Sequence, residues 1–390
     1  MKKVFLGFAL IAVVSVTNGQ RKQQKKNQLI EFPMTEEHWA AVSDNVEFLD
    51  YKSVKAVQSN NDDGLAIMLK DYEFTDGTIE FDVEFKGSGF PGIDFRVDKD
   101  TLNAEKFYIR YFGTPDNLRR TTLQYAAVLD RVNMWDVTDD YQAAATIHEG
   151  KWNHVKLVVS GKQLRVYVND MQRAVLHVPA LEGNTKSGAI ALTGNVVYAN
   201  FAVRPNATGD LASNEGYDPT YNDSHYLRNW SVQEPVDFPF GQDVMKNSPR
   251  GPINIDPVLF DSTAVWKPLK AERRSLVNLT RLFGATEQGE RRLTWIKTTI
   301  SSETAQEKRV DMGFSDEVWV FINGQLLLVD KNYYGSPGMK EPRGRCTIEN
   351  TSFQLPLQKG ENEILIGVTN YFFGWGIIAR VADTDGLKFN

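Results

Sequence analysis

The residues best suited to chemistry lie on three short alternating stretches. In Gly92-Ile-Asp-Phe-Arg-Val-Asp98, Asp94 and Arg96 alternate with Ile93, Phe95 and Val97. In Lys106-Phe-Tyr-Ile-Arg-Tyr-Phe112, Tyr108 and Arg110 alternate with Phe107, Ile109 and Tyr111, and in Thr122-Leu-Gln-Tyr125, Gln124 opposes Leu123 and Tyr125. A period of two sends alternate side chains to opposite faces of a strand. With the apolar sets in a core, Asp94, Arg96, Tyr108, Arg110 and Gln124 line one polar strip containing an aromatic ring. Such a strip suits a carbohydrate, whose hydroxyls need planar donors and acceptors and whose pyranose face packs on a ring. Trp135, in Arg131-Val-Asn-Met-Trp-Asp-Val137, is expected to be a loop platform beside it. The competing reading is a row of cross-strand ion pairs on a solvated face.

Other candidate groups are weaker. Glu80, Asp82 and Glu84 alternate along one strand and, with Asp94, could point into one groove; glycoside hydrolysis uses two carboxylates flanking the scissile bond. Acids also alternate on any wet strand face. Asn60-Asn-Asp-Asp-Gly64 offers oxygens to a structural calcium ion, although a turn is the commoner meaning of such a run. The histidines His38, His148, His154, His177 and His225 have no two-ligand spacing, so no metal centre is expected. Cys346 is the only cysteine, which excludes an intramolecular disulfide, and no histidine partner for it is evident. No nucleophile elbow, phosphate loop or dinucleotide fingerprint is present, so catalytic residues stay unassigned and no cofactor is expected.

These stretches imply a β framework. Gly77-Thr-Ile-Glu-Phe-Asp-Val-Glu-Phe85 places Ile79, Phe81, Val83 and Phe85 on one face, as a half-buried strand requires. Further period-two segments run to Val203. Residues 206–235 are rich in Asn, Asp, Gly, Ser and Tyr and read as a linker. The segment 235–257 is punctuated by Pro and Gly and should lie extended over a domain surface, followed by a short helix near Ser275–Phe283. A second strand-rich block begins near Arg291, with Asn323-Gly324 marking a hairpin. The expected fold is all-β, with two β-sandwich (jelly-roll) domains.

Composition agrees with a globular exported chain. Hydrophobic residues make up 42% and charged residues 24% of the 390, which excludes a disordered or collagen-like chain. Lys2 and Lys3 precede an apolar run from Val4 to Val16, and Thr17-Asn-Gly19 ends in a small residue. Residues 1–19 therefore read as a signal peptide, with no cysteine at the cut for a lipid anchor and no later apolar run long enough for a membrane span. The expected location is secreted or periplasmic. Residues 20–35 form a basic linker. Beyond its four cations, 38 basic against 50 acidic residues leave a net charge of −12. So acidic a body is a poor nucleic-acid binder.

Two resemblances add to this reading. Lys151-Trp-Asn-His-Val-Lys-Leu-Val-Val-Ser-Gly-Lys-Gln-Leu-Arg-Val-Tyr-Val-Asn-Asp170 resembles the late hairpin of laminin G-like, concanavalin A-like sandwiches. Phe107-Tyr-Ile-Arg110 and Gln124-Tyr125 resemble secreted bacterial members near the 3-keto-disaccharide hydrolase group, over residues 36–205. Phe314-Ser-Asp-Glu-Val-Trp-Val-Phe-Ile-Asn-Gly-Gln-Leu326, Leu357-Gln-Lys-Gly-Glu-Asn-Glu-Ile-Leu-Ile-Gly-Val368 and Gly374-Trp-Gly-Ile-Ile-Ala-Arg380 resemble the galactose-binding-like jelly roll at the front of family-two glycoside hydrolases. That domain would occupy residues 236–390, without the catalytic barrel and its carboxylates. In concanavalin A-like sandwiches the concave sheet commonly holds sugar, and laminarinase-like members carry an E-x-D-x-E strand whose spacing Glu80-Phe-Asp-Val-Glu84 matches. The resemblances imply an exported, non-catalytic carbohydrate-binding protein that recognises a glycan on the concave face of the first sandwich, with the second sandwich as a candidate contributor. The alternatives are a glycoside-cleaving enzyme related to the 3-keto-disaccharide hydrolases, or an adhesion or assembly module with a cell-surface or secreted protein as partner.

Overall fold

The computed structural model of the chain describes residues 28–112, 119–138, 141–246, 254–287 and 289–389, without the side chains of 62 and 63. The expected signal peptide and residues 20–27 of the basic linker lie outside the described residues. The described residues are almost wholly β, as expected, with one five-residue α-helix among them at Leu279–Phe283. Two compact units form: residues to Tyr125 with Tyr141–Gly216, and Ala126–Asp140 with Tyr217–Asn390.

The first unit is built on β1 (Ile30–Glu31), β2 (Trp39–Ala41), β3 (Val46–Tyr51), β4 (Val54–Leu69), β5 (Gly77–Phe85), β6 (Gly92–Val97) and β7 (Ala104–Ile109). It continues through the start of β8 (Leu123–Leu129), whose residues from Ala126 on belong with β9 (Val132–Asn133) to the second unit, and then through β10 (Gln142–Ala143), β11 (Asn153–Ser160), β12 (Gln163–Val168), β13 (Leu176–Val178) and β14 (Ala189–Pro205). The strand order is β10-β8-β7-β6-β14-β5-β11-β12-β13. Strand β14 makes the sandwich. Its first half pairs with β6 and its second half with β5, while β4 follows it on the other edge. The register shifts between Leu192 and Asn195, where Gly194 has φ +97°. A Cβ there would stand 2.3 Å from Pro91 Cα, so only glycine fits the bend. Opposite it, the run Asn60–Gly64 is a bulge within β4 rather than a turn between strands.

The alternation read from sequence holds. Ile79, Phe81, Val83 and Phe85 pack with Ile93, Phe95, Phe107, Ile109, Leu123 and Tyr125 in one buried core. The Phe85 and Tyr111 rings meet at 4.4 Å inside it. Burying such side chains stabilises by about 1.5–3 kcal/mol each, before the entropy of ordering them is subtracted.

The second unit is also a sandwich. One sheet runs in the order Lys267–Lys270, Asn229–Val232, Arg292–Ser302, Gly360–Asn370, Glu317–Ile322 and Gln325–Lys331; the other carries Val277–Asn278, Gly376–Val381, Gln306–Ser315 and Thr351–Leu357. Trp230, Phe314, Ile366 and Trp375 are among the side chains buried between them. Asn323 (φ +49°) and Gly324 (φ +78°) form the tight turn of the expected hairpin. Trp295, Trp319 and Phe321 form a separate cluster that Phe238 and Val244 of the 235–257 segment, with Leu259 just beyond it, help to bury. Residues 217–235 contribute Leu227, Trp230 and Val232 to the main core.

Candidate functional site

The strip foreseen on β6, β7 and β8 divides into parts. Asp94 faces outward from β6 and meets Lys106 Nζ at 2.6 Å, as their cross-strand pairing dictates. Tyr108 and Arg110 share the outward face of β7, because Phe107, Ile109 and Tyr111 take the core. The Tyr108 hydroxyl donates to Gln124 Oε1 at 3.1 Å, and Arg110 Nη2 donates to Tyr108 Oη at 2.9 Å and also to Gln124 Oε1. Gln142 Nε2 on β10 reaches the same Gln124 oxygen at 3.1 Å. Arg110 Nη1 donates to Thr121 O at 2.7 Å, and its guanidinium lies 5.0 Å from the Tyr108 ring centroid.

Two phenylalanines complete this surface. Phe90 is 40% exposed and Phe112 49% exposed. Their rings meet edge to face at 5.7 Å, and Phe90 lies 6.1 Å from the Tyr108 ring. Tyr108 and Gln124 are themselves buried, so the exposed part of the site is the phenylalanine pair and the half-buried Arg110 and Gln142. Phe90, Phe112, Lys106 and Gln142 were not among the residues expected from the sequence. Phe112 was within reach, since Lys106, Tyr108, Arg110 and Phe112 share one parity; Phe90 precedes its strand and carries no such signal.

Arg96 corrects the expected strip. Val97 pairs with Ala189 and Phe95 with Ile190, so Arg96 is the extra residue of a bulge, with φ +54°. The bulge turns its side chain away from Asp94. It donates to Thr75 O at 2.9 Å, Asp76 Oδ1 at 2.9 Å and Gly161 O at 2.9 Å, and is almost fully buried. Trp135 is placed in the second unit, where its ring meets those of Tyr334 at 5.2 Å and Phe373 at 5.9 Å.

The acidic row on β5 is the outward set of that strand. Glu80, Asp82 and Glu84 alternate with the core side chains Ile79, Phe81, Val83 and Phe85, while Asp94 on β6 is paired with Lys106. His154 Nδ1 lies 2.6 Å from Asp82 Oδ1 and its Nε2 3.5 Å from Glu80 Oε2. Hydrogen bonds to Asp82 and Glu80 raise the His154 pKa to about 9, while the bond to His154 and the charge of Arg204 lower that of Glu80. Asn200 donates to Asp82, and Glu84 is held by Tyr51, Lys52 and Lys86. This is an ion-pair lattice on a sheet face.

On the core side of β7, Glu105 is fully buried. It accepts from the Tyr125 hydroxyl at 2.5 Å and the Gly183 amide at 3.2 Å, and burial pushes its pKa to about 7. Among the described residues no cluster of three His, Cys, Asp or Glu side chains could hold a metal ion. No described helix is long and apolar enough to cross a membrane, which says nothing of strands. Cys346 is buried beside Leu276 and Ile378.

Comparison with known proteins places the first sandwich in context. Residues 17–204 match the model of the 3-keto-alpha-glucoside-1,2-lyase-like domain, in line with the resemblance read from its strands. No curated protein matches the chain. Similar solved structures include the carbohydrate binding module CBM66 from Bacillus subtilis, 18% identical over 42% of this chain and 91% of that one, with a TM-score of 0.31. A putative glycosyl hydrolase from Parabacteroides distasonis is 14% identical over 46% of this chain and 99% of that one, with a TM-score of 0.29. The Bacillus licheniformis beta-glucanase is 8% identical over 46% of this chain and 98% of that one, with a TM-score of 0.32. Likeness at these levels carries no functional argument.

Proposed function

We propose that the chain is an exported carbohydrate-binding protein whose first sandwich takes a glycan on the outer face of β6, β7, β8 and β10. One observation carries the reading: the exposed Phe90–Phe112 pair stands beside an arginine–tyrosine–glutamine network. A pyranose would stack on the rings while its hydroxyls meet Arg110 and Gln142. The network would hold Arg110 in one geometry before any ligand arrives, which lowers the entropy cost of binding. The match of residues 17–204 to a domain family named for 3-keto-glucosides supports a carbohydrate role. A glycan array followed by calorimetry, with Phe112→Ala as control, tests the proposal. Saturable binding lost in the variant supports it; an array without any binder contradicts it.

The same family match favours a second reading, in which the face carries out a 1,2-elimination on a 3-keto-glucoside. The C2 proton, acidified by the C3 ketone, passes to a base; the C1–O bond breaks, a C1=C2 double bond forms, and the departing oxygen takes up a proton. Asp94, held by Lys106 at 2.6 Å, would be the carboxylate base, and Lys106 and Arg110 the cations that would steady the enolate oxygen. Incubation with a 3-keto-glucoside and its parent glucoside separates the readings. Release of the aglycone from the keto form alone, lost in Asp94→Asn, selects the enzyme; binding of both without turnover selects the binding protein.

A further inference from the structure

A cleft in the second unit, far along the chain from the strip just described, has the composition of a second ligand site. It is an open depression of about 260 Å³ that includes Asn229, at the start of strand Asn229–Val232. Tyr221, 61% exposed, lines it together with Asn222, Asp223, Asn229, Thr298 and Phe389. The side-chain amides of Asn222 and Asn229 have no hydrogen-bond partner among the described residues. Each offers a donor and an acceptor to a ligand.

The charges in the cleft decide the ligand class. Arg228 is committed elsewhere: it donates to Ser275 Oγ at 2.7 Å, Ala271 O at 3.0 Å, Glu272 O at 3.1 Å and Thr220 Oγ1 at 3.3 Å. Its guanidinium lies 5.4 Å from the Tyr221 ring centroid, which steadies that ring. Asp223 Oδ1 accepts from the His225 amide at 3.0 Å and lies 2.6 Å from His225 Nδ1. An anionic ligand would therefore meet a carboxylate without an uncommitted arginine. A purely apolar ligand would leave two asparagine amides without partners. A metal ion would find a single carboxylate that is already engaged.

We infer that this cleft binds one neutral pyranose ring, stacked on Tyr221 and hydrogen-bonded by Asn222 and Asn229. Its size suits a single sugar ring rather than a drug-sized ligand. The inference is independent of the first-sandwich reading.

The test is saturation-transfer NMR and titration of the full chain with glucose, galactose, mannose and xylose, with glucuronate and inorganic phosphate for comparison. Tyr221→Ala and Asn229→Ala change exposed side chains, so both should keep the parent melting temperature. The expected result is saturable millimolar-range binding of at least one neutral sugar, weakened roughly 3–10-fold by Tyr221→Ala, reduced by Asn229→Ala and untouched by Phe112→Ala. Absence of saturable binding by every neutral sugar overturns the inference, as does binding that both cleft variants leave unchanged. Preference for glucuronate or phosphate overturns it equally. Loss in Phe112→Ala alone would assign the sugar to the first sandwich and overturn the cleft.

Discussion

The Tyr108 hydroxyl donates to Gln124 Oε1 across 3.1 Å, on the outward face of two neighbouring strands. Both side chains are buried although neither belongs to the apolar core. Arg110 bonds to both, so the polar strip is knit together by its own side chains.

Arg110 is consequently a structural residue as well as a candidate contact. Arg110→Ala should cost about 1–3 kcal/mol by leaving buried polar groups short of a partner. Ile109→Ala, which opens a cavity in the core, should cost about 2–5 kcal/mol. Phe112→Ala should stay within about 0.5 kcal/mol, because the ring is half exposed. Thermal melts of the three variants rank them; a silent Ile109→Ala would reverse the register assigned to β7.

Arg96→Ala should lower stability by about 1–3 kcal/mol, since Thr75 O and Gly161 O each lose a donor. It should leave glycan affinity unchanged. Calorimetry on the folded variant checks this, and loss of affinity without loss of stability would return Arg96 to the site.

His154 predicts a pH dependence on the alkaline side. Its pKa rises from 6.5 to about 9 on folding, through its bonds to Asp82 and Glu80. The folded state then binds more protons than the unfolded state between these values, so the stabilisation is complete below about 6.5 and fades as the pH rises to about 9. The depressed pKa of Glu80 works in the other direction, its contribution fading in acid. His154→Gln should flatten the alkaline slope of the melting temperature; an unchanged slope would remove His154 as its cause.

Glu105 has the same sign for a different reason. Burial raises its pKa from 4.5 to about 7, so the first sandwich loses stability as the pH climbs between those values. Glu105→Gln keeps an acceptor for Tyr125 and adds no charge. Its melting temperature should change less than the parent's between pH 5 and pH 8. An equal change in both proteins would contradict the assignment.

The core was largely legible because alternation encodes it directly. Phe107, Ile109 and Tyr111 lie inward as their spacing requires, and Asn323-Gly324 makes its turn. What escaped depends on local irregularity and on distant partners. A one-residue bulge moved Arg96 off the strip, and nothing in Phe95-Arg-Val97 announces it. Trp135 follows a two-residue strand pairing with β8, and only tertiary packing assigns it to the second unit. Leu227, Trp230 and Val232 lie in a stretch too polar overall to read as core, yet three well-placed apolar side chains suffice. The run Asn60–Gly64 looks like a turn by composition because the same residues that permit turns also permit a bulge.

Titration of the chain with an array-selected glycan, beside Phe90→Ala and Phe112→Ala, decides whether the phenylalanine pair holds the sugar. Saturable binding is expected in the parent, with a roughly 3–10-fold weaker association in each variant at unchanged melting temperature. Equal affinity in parent and both variants, or no glycan bound at all, would contradict it.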